Sequence, residues 1–300
     1  MATYRQKTRE ENFIMNEKKN ITDNPKQPDE SFLSGTVASY VPFYDDGQIR
    51  IYNDKAEQLL QGFAPGSYDA IITDPPYNTT VCAWDTEIDL DYYFEQWGRL
   101  LKANGVLVVF ADEPFTSLLI TKKLEWFKYR VTWDKQQGSG FLNAKKMPLK
   151  QTEDYCVFSK VTMGNFTYNP QIKDKNPLNI RPIGNRKPVQ KTTYNEHNGK
   201  YSEDYDNTKS YPTNLISING KIAECNSTRR LHPTQKPEKL LMDIILTYTN
   251  EGDRILDNFM GSGTTLTVAK KLGRKSDGIE QDPIFCTIAA ERCKQEQLFN

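Results

Sequence analysis

Short apolar runs that alternate with helical segments constrain this chain more than any other feature. Ile49-Arg50-Ile51-Tyr52 reads as a strand, followed by a helix containing Ala56, Leu59 and Leu60. Tyr68-Asp69-Ala70-Ile71-Ile72-Thr73 reads as a buried strand that ends at Asp74-Pro75-Pro76-Tyr77. A helix through Tyr93, Phe94, Trp97, Leu100 and Leu101 carries its apolar side chains at helical spacing. Asn104-Gly105 stops it, and Val106-Leu107-Val108-Val109-Phe110 is another buried strand. The pattern then predicts a helix from Pro114 to Trp126 and strands over Tyr129–Asp134 and Tyr155–Phe158. Further on come a helix over Glu238–Thr249, a strand over Arg254–Asp257, a glycine turn, a helix over Thr264–Leu272 and a strand over Ser276–Ile279. Strands that are apolar throughout are buried on both faces, and each here feeds a helix. The expected architecture is therefore α/β: a doubly wound, mostly parallel sheet with helices on both faces.

Two segments break the alternation. Residues 1–35 are polar, contain Pro25 and Pro28, and show no sustained period, so they read as a flexible arm. Residues 160–230 are rich in Asn, Thr, Tyr, Lys and Pro and read as an insertion, or a second small lobe, within the sheet. The 300-residue chain carries 39 basic and 39 acidic side chains, so its total charge says nothing about partners. The distribution is uneven: Asp23–Glu95 holds 14 acidic and 3 basic residues, whereas Asn143–Lys200 holds 11 basic and 4 acidic ones. The basic segment could meet a polyanion, although charge alone favours a solvated surface. No apolar run is long enough to span a membrane, and no apolar core follows the basic residues near the N-terminus. The expectation is a soluble, cytoplasmic protein. Five cysteines (Cys82, Cys156, Cys225, Cys286, Cys293) are scattered singly and only His197 and His232 accompany them, so reduced thiols and no metal site are expected.

The chemistry lies in the turns at two strand ends. From Asp257-Asn258-Phe259-Met260 the chain passes through Gly261-Ser262-Gly263 into a helix opening at Thr264-Thr265. A strand, Gly-x-Gly and a helix in succession let a ligand approach bare backbone, with the helix N-terminus pointing at it. Glu280 ends the next strand, 17 residues beyond Gly263, where a carboxylate can accept hydrogen bonds from both hydroxyls of a ribose. The third glycine of the dinucleotide pattern is missing, with Leu266 in its place, and Asp257 would repel a pyrophosphate. A cofactor joining a nucleoside to a cation fits better, and S-adenosylmethionine has both. Taken alone, the glycine pattern is equally that of a plain tight turn.

At Asp74-Pro75-Pro76-Tyr77 two prolines fix φ and remove two N–H donors, leaving carbonyls and a carboxylate facing one spot. Such a place suits an amino group that arrives as a donor, and Tyr77 adds a face on which a planar ring can stack. The amine of a nucleobase is a poor nucleophile because its lone pair is delocalised. Accepting its two protons in hydrogen bonds favours a tetrahedral nitrogen whose lone pair can attack a methyl sulfonium. The alternative is a rigid Pro-Pro turn. The tetrapeptide arises by chance in roughly one chain in 500 of this length, which makes it moderately specific. Both turns lie at the C-terminal ends of expected parallel strands, where open α/β sheets bind ligands.

The sequence resembles the amino-group DNA methyltransferases of the N6-adenine/N4-cytosine type. The resemblance rests on Asp-Pro-Pro-Tyr at 74–77 with Trp84-Asp85 beyond it, Asn143-Ala144-Lys145-Lys146-Met147-Pro148, His232-Pro233-Thr234-Gln235-Lys236-Pro237 and the Phe259–Thr265 turn. It covers about residues 45–295. The order, catalytic turn first and cofactor turn last, is similar to the β-class, a permuted form of the Rossmann-like S-adenosylmethionine-dependent methyltransferase fold. The implied organisation is an arm over 1–35, a catalytic half over 36–159, a target-recognition region over 160–230 and a cofactor-binding half over 231–300.

The resemblance implies that Asp74 and the Pro75 carbonyl hold the target amine, with Pro76 shaping the turn and Tyr77 stacking on a base rotated out of the duplex. It implies S-adenosyl-L-methionine held by Asp54, Asp74, Asp257, Phe259, Gly261, Ser262, Gly263, Thr264, Thr265 and Glu280. Thr234, Gln235 and Lys236 would reach the methionine carboxylate. Asn258 departs from the usual residue before Phe259, and Gln281-Asp282-Pro283 from the apolar residue common after Glu280. The initial Asp of the tetrapeptide points to adenine N6 rather than N4 of cytosine, which stays open. The implied partner is double-stranded DNA, read through cations such as Lys173, Lys175 and Arg181 and amides such as Asn165, Asn169 and Gln171 in the 160–230 region. Relatives of this class often form homodimers. A catalytically silent DNA-binding protein that keeps the fold is the reading from another class.

Overall fold

The computed structural model describes residues 40–77, 87–180, 206–219 and 235–295. The arm expected over 1–35, Trp84, Asp85, Arg181, His232 and Thr234 lie outside the described residues.

In chain order the strands are β1 (Tyr44–Asp45), β2 (Ile49–Asn53), β3 (Tyr68–Thr73), β4 (Leu101–Ala111), β5 (Phe127–Ser139), β6 (Lys150–Ser159), β7 (Lys173–Asp174), β8 (Lys209–Ser210), β9 (Leu215–Ser217), β10 (Arg254–Asp257) and β11 (Lys275–Glu280). The helices are α1 (Ala56–Leu59), α2 (Leu90–Leu100), α3 (Phe115–Lys122), α4 (Glu238–Tyr248), α5 (Thr264–Lys271) and α6 (Pro283–Gln295). Among the described residues one sheet runs in the order β1-β2-β11-β10-β3-β4-β6-β5-β9. Its centre, β2-β11-β10-β3-β4, is parallel throughout. β6 turns antiparallel against β4 and pairs with β5 as a long hairpin.

The strands alternate as burial on both faces requires. Ile71, Leu107, Val109 and Leu256 face one layer, built on Tyr93, Phe94, Trp97 and Leu100 of α2 and Leu119 of α3. Ala70, Ile72, Val106, Val108 and Ile255 face the other, built on Leu240, Leu241, Ile244 and Ile245 of α4 and Val268 of α5. Each fully buried aliphatic side chain contributes roughly 1.5–3 kcal/mol by leaving water. Asp89 starts α2 by accepting the N–H groups of Asp91 (2.9 Å) and Tyr92 (3.2 Å).

The boundaries differ from expectation where polar residues continue an element. β5 and β6 extend well past Tyr129–Asp134 and Tyr155–Phe158, because only those stretches are buried and the outer arms stand in solvent. α3 stops at Lys122, short of Trp126. β4 starts at Leu101, taking that residue from the preceding helix. α6, which the pattern did not predict, packs through the small side chains Cys286, Ala289 and Cys293. Within 160–230 the chain supplies β9, which joins the edge of the main sheet beside β5, and the small pair β7–β8.

This winding places the site. From β10 the chain steps through α5 to β11 on one side, and from β3 through α2 to β4 on the other. The direction reverses between neighbouring β10 and β3, and a crevice opens at their C-terminal ends. Those ends carry Asp257 and Asp74.

Candidate active site

β3 delivers Asp74 to the crevice, and the two prolines that follow hold the turn. Tyr77 folds back so that its hydroxyl donates to Asp74 Oδ1 at 2.5 Å. Its ring stacks on Phe115 at the start of α3, with centroids 5.2 Å apart and planes at 26°. Lys236, just ahead of α4, places Nζ 2.9 Å from Asp74 Oδ2 and also against the carboxylate of Glu153 on β6. The same ammonium sits 4.9 Å from the Phe110 ring centroid. Burial pushes the Asp74 carboxyl up, and Lys236 opposes that push. Burial disfavours the charge on Lys236 as well, yet the two carboxylates hold its pKa above the ordinary lysine value.

The glycine turn is built from backbone. Gly261 (φ 51°) and Gly263 (φ 75°) occupy the left-handed region. A side chain at Gly263 would also place its Cβ 2.6 Å from Ala289 Cβ on α6. Gly261 N–H donates to Glu280 Oε2 at 3.1 Å and Asp282 N–H to Glu280 Oε1 at 2.8 Å, which fixes that carboxylate at the end of β11. Burial raises the Glu280 pKa, and these N–H donors offset part of the rise. Arg292 of α6 braces the turn from behind, donating to Ser262 O at 2.7 Å and to Thr264 Oγ1 at 3.0 Å. Asn258 takes the Trp97 indole N–H at 3.0 Å, and Phe259 lies against Tyr93 with centroids 5.2 Å apart.

Asp257 is the unusual member. It is 4 % exposed and, among the described residues, no ion pair reaches it. Burial drives its pKa up to about 7, with the Thr265 hydroxyl and the Phe259 N–H offsetting only part of the rise. A buried carboxyl with neutral donors alone is poised for a cation to arrive.

The structure thus gathers Asp74, Pro75, Pro76, Tyr77, Gln235 and Lys236 on one side of the crevice and Asp257 to Thr265 with Glu280 on the other. Asp54 is exposed just past β2, whose Asn53 pairs in register with Glu280. Lys236, expected at a methionine carboxylate, has Asp74 and Glu153 as its partners in this chain. Two polar residues of the 160–230 region are engaged in the fold itself. Asn169 donates to Thr249 O at 3.2 Å and to Leu246 O at 3.3 Å, tying down the C-terminal end of α4. Lys160, a further cation of that region, donates to Gly98 O at 2.9 Å and Leu101 O at 3.0 Å, at the opposite end of the strands from Asp74. Sequence reading missed Glu153 and Phe115, since neither sits in a motif. The exposed carbon-rich tip of the β5–β6 hairpin was legible only as Lys145-Lys146-Met147-Pro148.

S-adenosylmethionine fits this donor set. Its sulfonium and ammonium charges are what Asp257 lacks, a diol is what the fixed carboxylate of Glu280 can accept, and the glycines leave the turn open. The comparisons agree. The DNA methylase family model for N6 and N4 methylation matches residues 68–291. The Type II methyltransferase M.HpaI of Haemophilus parainfluenzae is 30% identical over 261 residues, 82% of this chain and 74% of that protein. The DNA adenine methyltransferase YhdJ of Escherichia coli is 30% identical over 268 residues, 83% of this chain and 84% of its own. The crystal structure of the M1.HpyAVI–SAM complex superposes with a TM-score of 0.52 at 26% identity, covering 81% of this chain and 99% of that one. With a Pro-Pro turn carrying Asp74 and a glycine turn beside the buried Asp257 at the reversal point of the sheet, and with these matches, the chain belongs to the N6/N4 DNA methylase family of S-adenosylmethionine-dependent methyltransferases.

Proposed function

We propose that the enzyme methylates the exocyclic N6 of adenine at a specific site in double-stranded DNA, after the base has been rotated out of the stack. The supporting observation is the pairing of Asp74 and Asp257 at the ends of adjacent strands β3 and β10: one carboxylate for a donor amine, the other for a cation. When bound, S-adenosylmethionine supplies a methyl group on a positively charged sulfur. Asp74 and the Pro75 carbonyl accept the amine hydrogens and orient the nitrogen lone pair. Nitrogen gains the methyl carbon, sulfur keeps the electron pair of the broken bond, and one N–H proton is shed, for which Asp74 is the adjacent acceptor. The aromatic pair Tyr77 and Phe115 offers the planar base a surface. Gly261, Gly263, Asp257 and Glu280 are assigned to the cofactor, with Ser262, Thr264 and Thr265 shaping the turn, Phe259 beside it and Asp54 near the adenine.

The hairpin tip agrees with a duplex lying across this crevice. β6 begins where β4 ends, so residues 140–149 project beyond the edge that carries Asp74, with Phe141, Leu142, Lys145, Lys146 and Met147 exposed. M.HpaI is named as a Type II methyltransferase and YhdJ as a DNA adenine methyltransferase, which supports this reading.

The test is methyl transfer to unmodified duplex DNA with nucleoside mass spectrometry of the digest. N6-methyladenine is expected; N4-methylcytosine would overturn the base assignment while keeping the roles of the residues. Asp74→Ala should lower kcat by about 10²–10³-fold or more while DNA and cofactor still bind. Lys236 keeps Glu153 as a partner in that variant, so the fold is expected to hold. Retained methylation would refute the role of Asp74.

A further inference from the structure

Glu153 takes no part in the chemistry above, yet it shares the cation that, among the described residues, pairs with the Asp74 carboxylate. Lys236 Nζ bridges Asp74 Oδ2 at 2.9 Å and the Glu153 carboxylate, and the three side chains are 11%, 25% and 13% exposed respectively. The other Glu153 oxygen faces Lys135 Nζ on β5 at 3.7 Å. A lysine on a flexible four-carbon stem is poorly fixed by a single partner. Here it is held from two sides, over the Phe110 ring.

We propose that Glu153 is a positioning residue for methyl transfer: acting through Lys236, it fixes the ammonium that holds Asp74 in its amine-accepting pose and offsets part of that ammonium's field at Asp74. The proposal rests on the reading of Asp74 given above. An undivided ammonium would pair tightly with Asp74 and weaken it as an acceptor for an incoming amine. With no ammonium, two carboxylates would face each other and one would take a proton. Among the described residues, the charged and titratable groups facing Asp74 are Tyr77 from its own turn, Lys236 from ahead of α4, Glu153 from β6 with Lys135 behind it on β5, and Asp257 from β10. Lys150, also on β6, is paired with Asp112 after β4.

The arrangement sets the sign of two changes. Glu153→Gln leaves Lys236 wholly to Asp74, so the acid limb of the kcat–pH profile moves to lower pH. Lys236→Met removes the cation, so the limb moves to higher pH. The experiment measures kcat against pH on saturating duplex DNA and cofactor for the full-length chain, with cofactor Kd measured by direct binding. Expected for E153Q are a kcat about tenfold lower, a cofactor Kd within twofold of wild type, and limb shifts of opposite sign in the two variants. Wild-type kcat in E153Q, or a lower kcat with an unmoved limb, overturns the proposal. If E153Q does not fold, Glu153→Asp decides: wild-type kcat with the reach shortened by one methylene overturns it. A wild-type chain that methylates nothing overturns the reading of Asp74 and this proposal together, whereas an active wild type with an unchanged E153Q overturns only the role of Glu153.

Discussion

Asp277 in β11 and Asp257 at the end of β10 are buried carboxylates on neighbouring strands, and their surroundings are opposite. Asp277 is fully buried and accepts from Arg50 Nε and Nη2 (both 2.8 Å), Arg254 Nε (3.0 Å) and the Tyr68 hydroxyl (2.7 Å). Burial pushes its pKa up, but the two guanidinium groups and the phenol outweigh that and hold it below the ordinary value. Asp257, with neutral donors only among the described residues, is driven up to about 7. Equal burial thus yields one carboxylate that holds the sheet and another that is unfavourable until a cation comes. The signs for stability follow. Asp277 contributes stability above its unfolded pKa, lost as pH falls through the folded one. Asp257 costs stability as pH rises from the ordinary carboxylate range through about 7.

The contrast breaks most visibly at Asp277. Asp277→Ala leaves two arginines and a phenol without their shared acceptor and should cost about 3–5 kcal/mol in urea unfolding. A loss below 1 kcal/mol would mean, by the same reasoning, that the network is merely decorative. The next effect has the other sign. Asp257→Asn should stabilise the cofactor-free chain at pH 8 by about 2 kcal/mol, since no charge then has to be buried. The same variant should bind S-adenosylmethionine at least about tenfold more weakly, because a buried charge pair is lost. A variant that is destabilised yet binds normally would erase the distinction. The smallest effect is in the wild type: cofactor affinity should rise by up to about tenfold from pH 6 to pH 8, with a fraction of a proton released on binding near pH 7. Calorimetry in two buffers of different ionisation enthalpy measures that release, and binding with no proton release would show Asp257 already charged.

What the sequence revealed follows from where its signals are local. β3 and β10 were legible because continuous apolar runs end in prolines or glycines, and Asp74, Gly261, Gly263 and Glu280 stand where those turns put them. Asp257 was legible as an acid unsuited to pyrophosphate, whereas its want of a cation is a fact of packing. Glu153 was invisible because Gln151-Thr152-Glu153-Asp154 reads as a solvated strand end, and its partner Lys236 is 83 residues away. α6 escaped because it buries Cys and Ala, which carry little periodic signal. Asn169 looked like a base-reading amide because composition cannot distinguish a groove from the end of α4.

The strand order also bears on how the chain is made. β10 and β11 fill the gap between β2 and β3, yet they come from the last fifth of the sequence. While the polypeptide emerges from the ribosome, β3 presents an open hydrogen-bonding edge until residue 257 has been synthesised, and β2 until residue 280. Premature termination between residue 77 and β10 therefore yields a product whose unpaired edges invite self-association and a chaperone's attention, even though its Asp74–Tyr77 turn is already complete.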